Sequence, residues 1–413
     1  MVERNPMKVH IESYGCNQNL GEGQEIAKAL ISNGCELSNN PDNVDVSIIV
    51  TCDVIEHTER MMLSKINELS HKSNKVIVTG CLAEVKKTQL EQIKSNIEVV
   101  SIRDQKKIPA LLGLKECDFS VNASPIETIS INQGCTSNCT YCITKIARGK
   151  LQSKKIDEIV DLAKRYISKG TIELRLSSQD TASYGMETKN ERLYDIINQI
   201  TKIEGNYYIR VGMMSPKTAK KIFRELLEAY KSKHVFKFLH LPIQSGSNKI
   251  LKDMNRGYTI EEYFDLVDQY KNTYPDGVLS TDIIVGYPTE EEEDFDQTME
   301  ITKKINADII NVTRFSKRVG TPAQNLKELP ERVIKERSRK LTSIRFEYSR
   351  KIMESYIGKT IEAVVLEHQK NTSIARDINY RPIVIDKIFP IGYTINTKIT
   401  GATPIYLKGK EEI

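Results

Sequence analysis

Residues 126–150 read IETISINQGCTSNCTYCITKIARGK: a β-branched run, a glycine, then Cys135, Cys139 and Cys142 in the order C-x3-C-x2-C. IETISI is the first of a series. TIELRL (171–176), YYIRVGM (207–213), VFKFLHLPI (235–243), GVLSTDIIVGYP (277–288) and ADIINVTRF (307–315) follow it, each succeeded by a stretch of helical periodicity. That alternation predicts parallel strands joined by crossover helices. Six βα units fall short of the eight in a closed barrel, so the expected fold is a partial, open (βα)6 barrel. Active sites of βα barrels lie at the C-terminal ends of the strands, and the three cysteines stand just past the first one.

Upstream, from Met7 to Leu114, a shorter alternation runs through KVHIESYG, a helix near Glu22–Ser32, DVSIIVTC, a helix near Val54–Leu69, KVIVTGC, a further helix and IEVVSI. This predicts an α/β unit with a doubly wound parallel sheet. KECDFSVNA (115–123) is polar and reads as a linker. Downstream of Pro330, a long basic helix without internal Gly or Pro leads into short alternating runs: TIEAVVLE, RPIVID, TINTKITG and PIYLKG. They predict a small antiparallel β domain. The expected domains are 1–114, 124–345 and 346–413, with no low-complexity tract.

A chain of 413 residues suits about three domains, and 39% hydrophobic with 28% charged residues is ordinary for a globular protein. No run of about 18 apolar residues exists to span a bilayer. The N-terminal MVERNPMKVHIE has no apolar secretory core, so a cytoplasmic location is expected. Thiols stay reduced there, and eight cysteines then point to metal ligation or catalysis rather than disulfides. A net charge of +5 permits an anionic partner without demanding one.

Three thiolates can hold three corners of a [4Fe-4S] cluster and leave the fourth iron open to another ligand. Structural zinc is the alternative, but it takes four ligands, and no further Cys or His stands nearby in sequence. A second set repeats the strand-end placement: Cys16 follows ESYG, Cys52 ends DVSIIVTC and Cys81 follows KVIVTG. In a doubly wound sheet such positions converge along one edge, where ligands bind. The competing reading makes them buried small hydrophobes. Cys35 and Cys117 lack the placement and are read as packing or surface thiols. Other barrel strands end in polar residues: Gln179 and Asp180, Arg210, Gln244 and Ser245, and Asp282. Singly, each reads as readily as a cap or turn residue.

Two three-cysteine sites on two domains resemble the radical S-adenosylmethionine (SAM) methylthiotransferases. The likeness runs through ESYGCNQN, VTCDVIEHTERMMLSKI, VTGC, GCTSNCTYC, FLHLPIQSGSNKILKDMNRGYT, STDIIVGYPTEEEEDF and RFSKRVGTPA. LSSQDTASYG and RVGMMSP are most similar to the archaeal and eukaryotic branch acting on N6-threonylcarbamoyladenosine of tRNA. The resemblance implies two [4Fe-4S] clusters, one on Cys135, Cys139 and Cys142 that reductively cleaves SAM, and one on Cys16, Cys52 and Cys81 that carries sulfur. It implies SAM contacts from Tyr141, Gln179, Asp180, Arg210, Gln244, Ser245 and Asp282. It further implies methylthiolation of adenine carbon 2 at tRNA position 37, and a C-terminal RNA-binding TRAM domain. The partners it implies are tRNA, an electron donor of the flavodoxin or ferredoxin kind and, where sulfur comes from outside, a sulfur donor.

For RNA contacts, Arg314, Lys317 and Arg318 of RFSKRVG are expected at the target base, as candidates to meet the carboxylate that threonylcarbamoyl carries and isopentenyl lacks, and Arg337, Arg339 and Lys340 of the basic helix on phosphates. A solvated helix with i,i+4 ion pairs is the other reading of the latter. Two rivals stand beside this function: methylthiolation of isopentenyladenosine or of a ribosomal-protein aspartate, and a non-catalytic, zinc-containing RNA-binding protein. Nucleotide hydrolysis is not expected, because Met353 stands where a P-loop ending in GKT (358–360) needs its first glycine.

Overall fold

A computed structural model describes residues 6–53, 56–115, 123–188 and 191–412. The expected linker lies outside them except for its two end residues, and Cys117 lies outside them. The N-terminal unit is a five-stranded parallel sheet. Its strands are β1 (Lys8–Ser13), β2 (Glu36–Leu37), β3 (Val44–Thr51), β4 (Ser73–Gly80) and β5 (Ile97–Val99), in the order β2-β1-β3-β4-β5. Apolar side chains leave both faces: Ile49, Val76 and Val78 pack with Met62 and Ile66 on one, and Val46, Ile48 and Val50 with Ile26 and Leu30 on the other. Burial on both faces explains the continuous SIIV run. Cys35 lies in the second of these cores.

The first helix begins at Asn17, five residues before the sequence suggests, because Gly21 and Gly23 are helical rather than a break. A Cβ at Gly21 would lie 2.9 Å from Thr128 Cγ2, so its absence lets this helix close on the next domain.

That domain opens with β6 (Ile126–Ser130), followed by a ribbon of β7 (Asn132–Gln133) and β8 (Gln152–Ser153). The strands β9 (Glu173–Ser177), β10 (Tyr208–Val211), β11 (Phe238–His240), β12 (Val278–Val285) and β13 (Ile309–Arg314) complete it. They form two parallel sheets, β10-β9-β6 and β11-β12-β13, joined by an Ile209–Val235 bridge and a 3.0 Å bond from Phe236 N–H to the Ile209 carbonyl. This is the expected open six-stranded barrel. An open barrel leaves two edges with unpaired backbone groups. At β6, the first helix covers the edge: Gln24 donates to the Ile126 carbonyl at 3.2 Å and accepts from Thr128 N–H at 3.3 Å. Lys28 and Glu127 add a buried ion pair at 2.5 Å. At the β13 side lies the helix Glu331–Glu354, with Leu341 in the barrel's core and Ser349 donating to the Asp308 carbonyl.

The expected boundary after residue 345 falls inside this unbroken helix, whose Met353 packs in the core of the last unit. There β14 (Thr360–Gln369), β15 (Thr372–Asp377), β16 (Pro382–Ile385), β17 (Thr394–Ala402) and β18 (Leu407–Glu411) close a barrel in the order β14-β15-β16-β18-β17. All pairs are antiparallel except β16 with β18. Tyr380, in the β15–β16 turn, packs against Phe236 and Phe238 of the larger barrel at centroid distances of 4.9 and 5.2 Å. Among the described residues, no helix is long and apolar enough to cross a membrane.

Candidate functional site

The loop after β6 is held shut at its base by the β7–β8 ribbon. Gly134 takes φ +78°, and a Cβ there would lie 2.2 Å from the Lys150 carbonyl oxygen, so only glycine lets the loop return on itself. Cys135, Cys139 and Cys142 are each partly exposed. Cys135 Sγ accepts from the Ser137 N–H at 3.3 Å, and Arg256 donates to Cys139 Sγ at 3.2 Å and to the Tyr141 hydroxyl at 3.3 Å. Met254 and Tyr287 further anchor the loop through Thr140. Burial, with Asp180 nearby, pushes the Cys135 thiol up to about 11, and burial raises Cys142 as well. Thiols in this state must release protons to bind metal.

The second triad also converges. Cys16 caps the helix Asn17–Ser32, Cys52 follows β3, and Cys81 opens the helix Cys81–Val85 after β4. A Cβ on Gly15 would lie 2.8 Å from Cys52 Sγ, so the first and second of these loops touch. Burial drives Cys81 up to about 12 against the pull of Arg148, with Cys16 and Cys52 adding to the rise. Arg148 arrives from the other domain, at the end of the first cysteine loop. Its guanidinium is buried, bonding Asn19 Oδ1 at 2.6 Å and both carboxylate oxygens of Glu22. Ala147 packs on Cys81 and Ile102. The two cysteine sites are therefore neighbours across one domain junction. Arg318 crosses the same junction, bonding Glu59 at 2.9 Å and facing Asp53 at 3.4 Å.

Three thiols at each site match the three protein corners of a [4Fe-4S] cluster, whereas structural zinc takes four ligands. Each triad is also met by one buried guanidinium, Arg256 or Arg148, a counter-charge suited to an anionic cluster. The donor sets thus fit iron-sulfur clusters.

The polar residues at the strand ends separate into groups. Gln179 accepts from Gly134 N–H at 2.8 Å and donates to Gln18, tying the first loop to the N-terminal unit. Asp180 is buried, accepting from Ser215 N–H at 3.0 Å and from the Thr218 hydroxyl, and burial pushes it up to about 6. Ser245 is buried against Thr298 and accepts from Ser247 N–H. Gln244 has φ +70°, a strained conformation for a non-glycine residue, and is half-buried. Asp282 lies in the barrel, held by His240 at 3.1 Å and Asn311 at 2.8 Å; burial would raise it, but these bonds keep it below its ordinary value. Arg210 lies lower, over the ring of Phe238.

Of the basic residues, Arg314 is exposed and lines a cavity of about 80 Å³ beside Tyr141 and Cys142. Lys317, Arg339 and Lys340 are exposed, Lys340 pairing with Glu336 at 3.0 Å. Arg318 and Arg337 are not available to RNA. Arg337 is buried with Glu290 at 3.3 Å and Glu292 at 2.9 Å, because it sits on the inner face of its helix. Sequence reasoning missed Arg148 and Arg256. Both lie in quoted motifs, ARGK and MNRGY, but only the chain's folding brings them to sulfur.

Residues 129–301 match the Radical SAM superfamily, and residues 8–101 match the Uncharacterized protein family UPF0004. A protein of Archaeoglobus fulgidus named "Probable threonylcarbamoyladenosine tRNA methylthiotransferase" is 37% identical over 421 residues, 98% of each chain. The tRNA-2-methylthio-N(6)-dimethylallyladenosine synthase of Thermosipho africanus is 34% identical over 426 residues, 97% of this chain and 98% of that one. Among solved structures, the radical S-adenosylmethionine methyltransferase TsrM of Kitasatospora setae superposes with a TM-score of 0.52 at 10% identity, over 78% of this chain and 77% of that one. The last is a likeness of fold alone.

Proposed function

Since the chain belongs to the radical SAM tRNA methylthiotransferase family, we propose that it converts N6-threonylcarbamoyladenosine at position 37 of tRNA to its 2-methylthio form. The observation that carries this reading is the pair of cysteine triads, each beside a buried guanidinium, on either side of one domain junction. Cys135, Cys139 and Cys142 would hold the [4Fe-4S] cluster that acts with SAM, and Cys16, Cys52 and Cys81 would hold the other. Together these groups supply the one-electron chemistry and the sulfur that replacement of an aromatic C–H requires and that side-chain acids, bases and nucleophiles lack.

The chain's own residues position the reaction. Arg256 fixes Cys139 and Tyr141 together, while Gln179 and Asp180 act through the loops they anchor. Asp282, held by His240 and Asn311, and Gln244 contact SAM. Arg314 and Lys317 meet the tRNA near the target base. Arg339, Lys340 and the C-terminal barrel, a TRAM-like unit, hold its backbone. The protein works in the cytoplasm, with a flavodoxin or ferredoxin as electron source and a sulfur donor where sulfur comes from outside.

The test is nucleoside mass spectrometry of tRNA from a host that makes threonylcarbamoyladenosine but not its methylthio form, with and without this gene. New 2-methylthio-N6-threonylcarbamoyladenosine is the expected result. A different methylthio-nucleoside would keep the family and move the substrate to the isopentenyl type. No new nucleoside, from protein with its iron intact, would overturn the tRNA reading and direct attention to ribosomal proteins.

A further inference from the structure

Arg210 sits inside the larger barrel without a hydrogen-bonded counter-ion among the described residues, although the Glu173 carboxylate acts on it electrostatically. Its guanidinium lies 4.8 Å from the ring centroid of Phe238 and 5.4 Å from that of Tyr380. Its Nε is buried and unpartnered, and the side chain makes no hydrogen bond or ion pair with any described residue. The neighbouring arginines differ. Arg175 bonds Glu173 at 2.6 Å, and Arg376 bonds the Tyr380 carbonyl at 3.2 Å while lying over its ring. Glu173 is already shared between Arg175 and the Tyr380 hydroxyl. Arg175 and Arg210 thus share the field of one carboxylate, which only Arg175 bonds. Burial lowers the Arg210 pKa, with Tyr380 and Glu173 offsetting this only in part.

A guanidinium with a buried, unpartnered Nε is unfavourable unless a ligand completes it, and a carboxylate is the ligand whose shape matches its fork. Taken together with the proposed function, on which the inference rests, the geometry identifies the missing group. We propose that Arg210 is the receptor for the carboxylate of the threonylcarbamoyl arm and so selects this substrate over nucleosides with apolar arms. Carbon 2 and the N6 arm lie on one edge of adenine. An arm directed inward from that edge points into the barrel, where Arg210 lies over Phe238, whose ring adjoins His240, the partner of Asp282. The isopentenyl arm carries no anion and would leave the cation unpaired. The SAM carboxylate is the other source of the same chemistry, so the test must separate the two.

The test compares reconstituted wild type, Arg210→Gln and Arg210→Lys on two anticodon stem-loop RNAs, one with threonylcarbamoyladenosine and one with its carboxylate converted to the carboxamide. Release of deoxyadenosine from SAM without RNA is measured in parallel. Wild type should show a KM for the acid roughly ten- to hundredfold below that for the amide. Arg210→Gln should raise the KM for the acid to the level of the amide, with little change on the amide itself, and Arg210→Lys should recover part of the difference. Equal use of acid and amide by wild type overturns the proposal, whether or not the variants fold, while leaving the proposed function intact. Equal losses on both RNAs in Arg210→Gln also overturn it, as does a proportionate loss of RNA-free deoxyadenosine release, which would assign Arg210 to SAM. If wild type turned over neither RNA, the proposed function would fail and the inference with it.

Discussion

Six cysteines divide between the two proposed cluster sites, and the division has consequences that a single residue can test. Cys16 caps a helix in the N-terminal unit, whereas the loop of Cys135, Cys139 and Cys142 is fastened by Arg256, Thr140 and Gln179 to other parts of the chain. Cys16→Ala should therefore lower iron and sulfide to the content of one cluster and abolish methylthiolation while RNA-free cleavage of SAM continues. Full methylthiolated product from this variant would refute the assignment of two sites. The cysteines were legible because one feature, a thiol just past a strand, recurs at Cys16, Cys52 and Cys81. Arg148 and Arg256 were not, because a basic residue in a loop gives no sign of whether it meets solvent, phosphate or sulfur. Arg337 illustrates the same limit in reverse: its helix is basic overall, and only packing distinguishes the buried guanidinium from the exposed one at Arg339.

At the level of elements, the helix Glu331–Glu354 docks through Ile334, Arg337 and Leu341, and Arg337 meets Glu290 in the loop after β12. Burial pushes Glu290 up to about 7 from a usual value near 4.5, with Arg337 pulling the other way. The folded chain thus holds this proton more tightly than the unfolded one. The resulting stabilisation is complete below pH 4.5 and is lost as pH rises through about 7. Glu290→Gln keeps a neutral side chain at every pH, so it should flatten the fall in melting temperature across that window, by about 2 °C or more. If the substitution left the fall unchanged or steepened it, ionised Glu290 would be the stabilising form through its pair with Arg337. Elements of this kind were well marked in sequence, since alternation and length separate strands from helices. The start of the first helix was not, because glycine reads as a break while Gly21 serves close packing against Thr128.

The molecule as a whole solves the problem of an open barrel by covering its two edges with different units. The N-terminal helix covers β6 and brings the second cysteine triad beside the first; the long helix lies along the β13 side and carries the chain to the small barrel, whose Tyr380 packs beneath Arg210. The order of these units was legible as a change in period along the chain, but their docking was not, because it rests on residues such as Gln24, Lys28 and Arg318 that look like ordinary surface positions. This arrangement leaves Arg339 and Lys340 exposed on the outer face of the long helix, while Arg337 is turned inward. The double variant Arg339→Glu with Lys340→Glu should therefore weaken tRNA binding without disturbing the melting temperature. The slope of log affinity against log salt should become shallower by about one to two units, as expected for one lost phosphate contact per residue. Filter binding across a salt series measures both. An unchanged slope would remove this helix from the RNA path, leaving the cationic surface around Arg314 and Lys317, beside the cysteine loop, to hold the nucleic acid. Arg337→Glu would be a poor substitute for this test, since it would set a third carboxylate beside Glu290 and Glu292 and destabilise the fold itself.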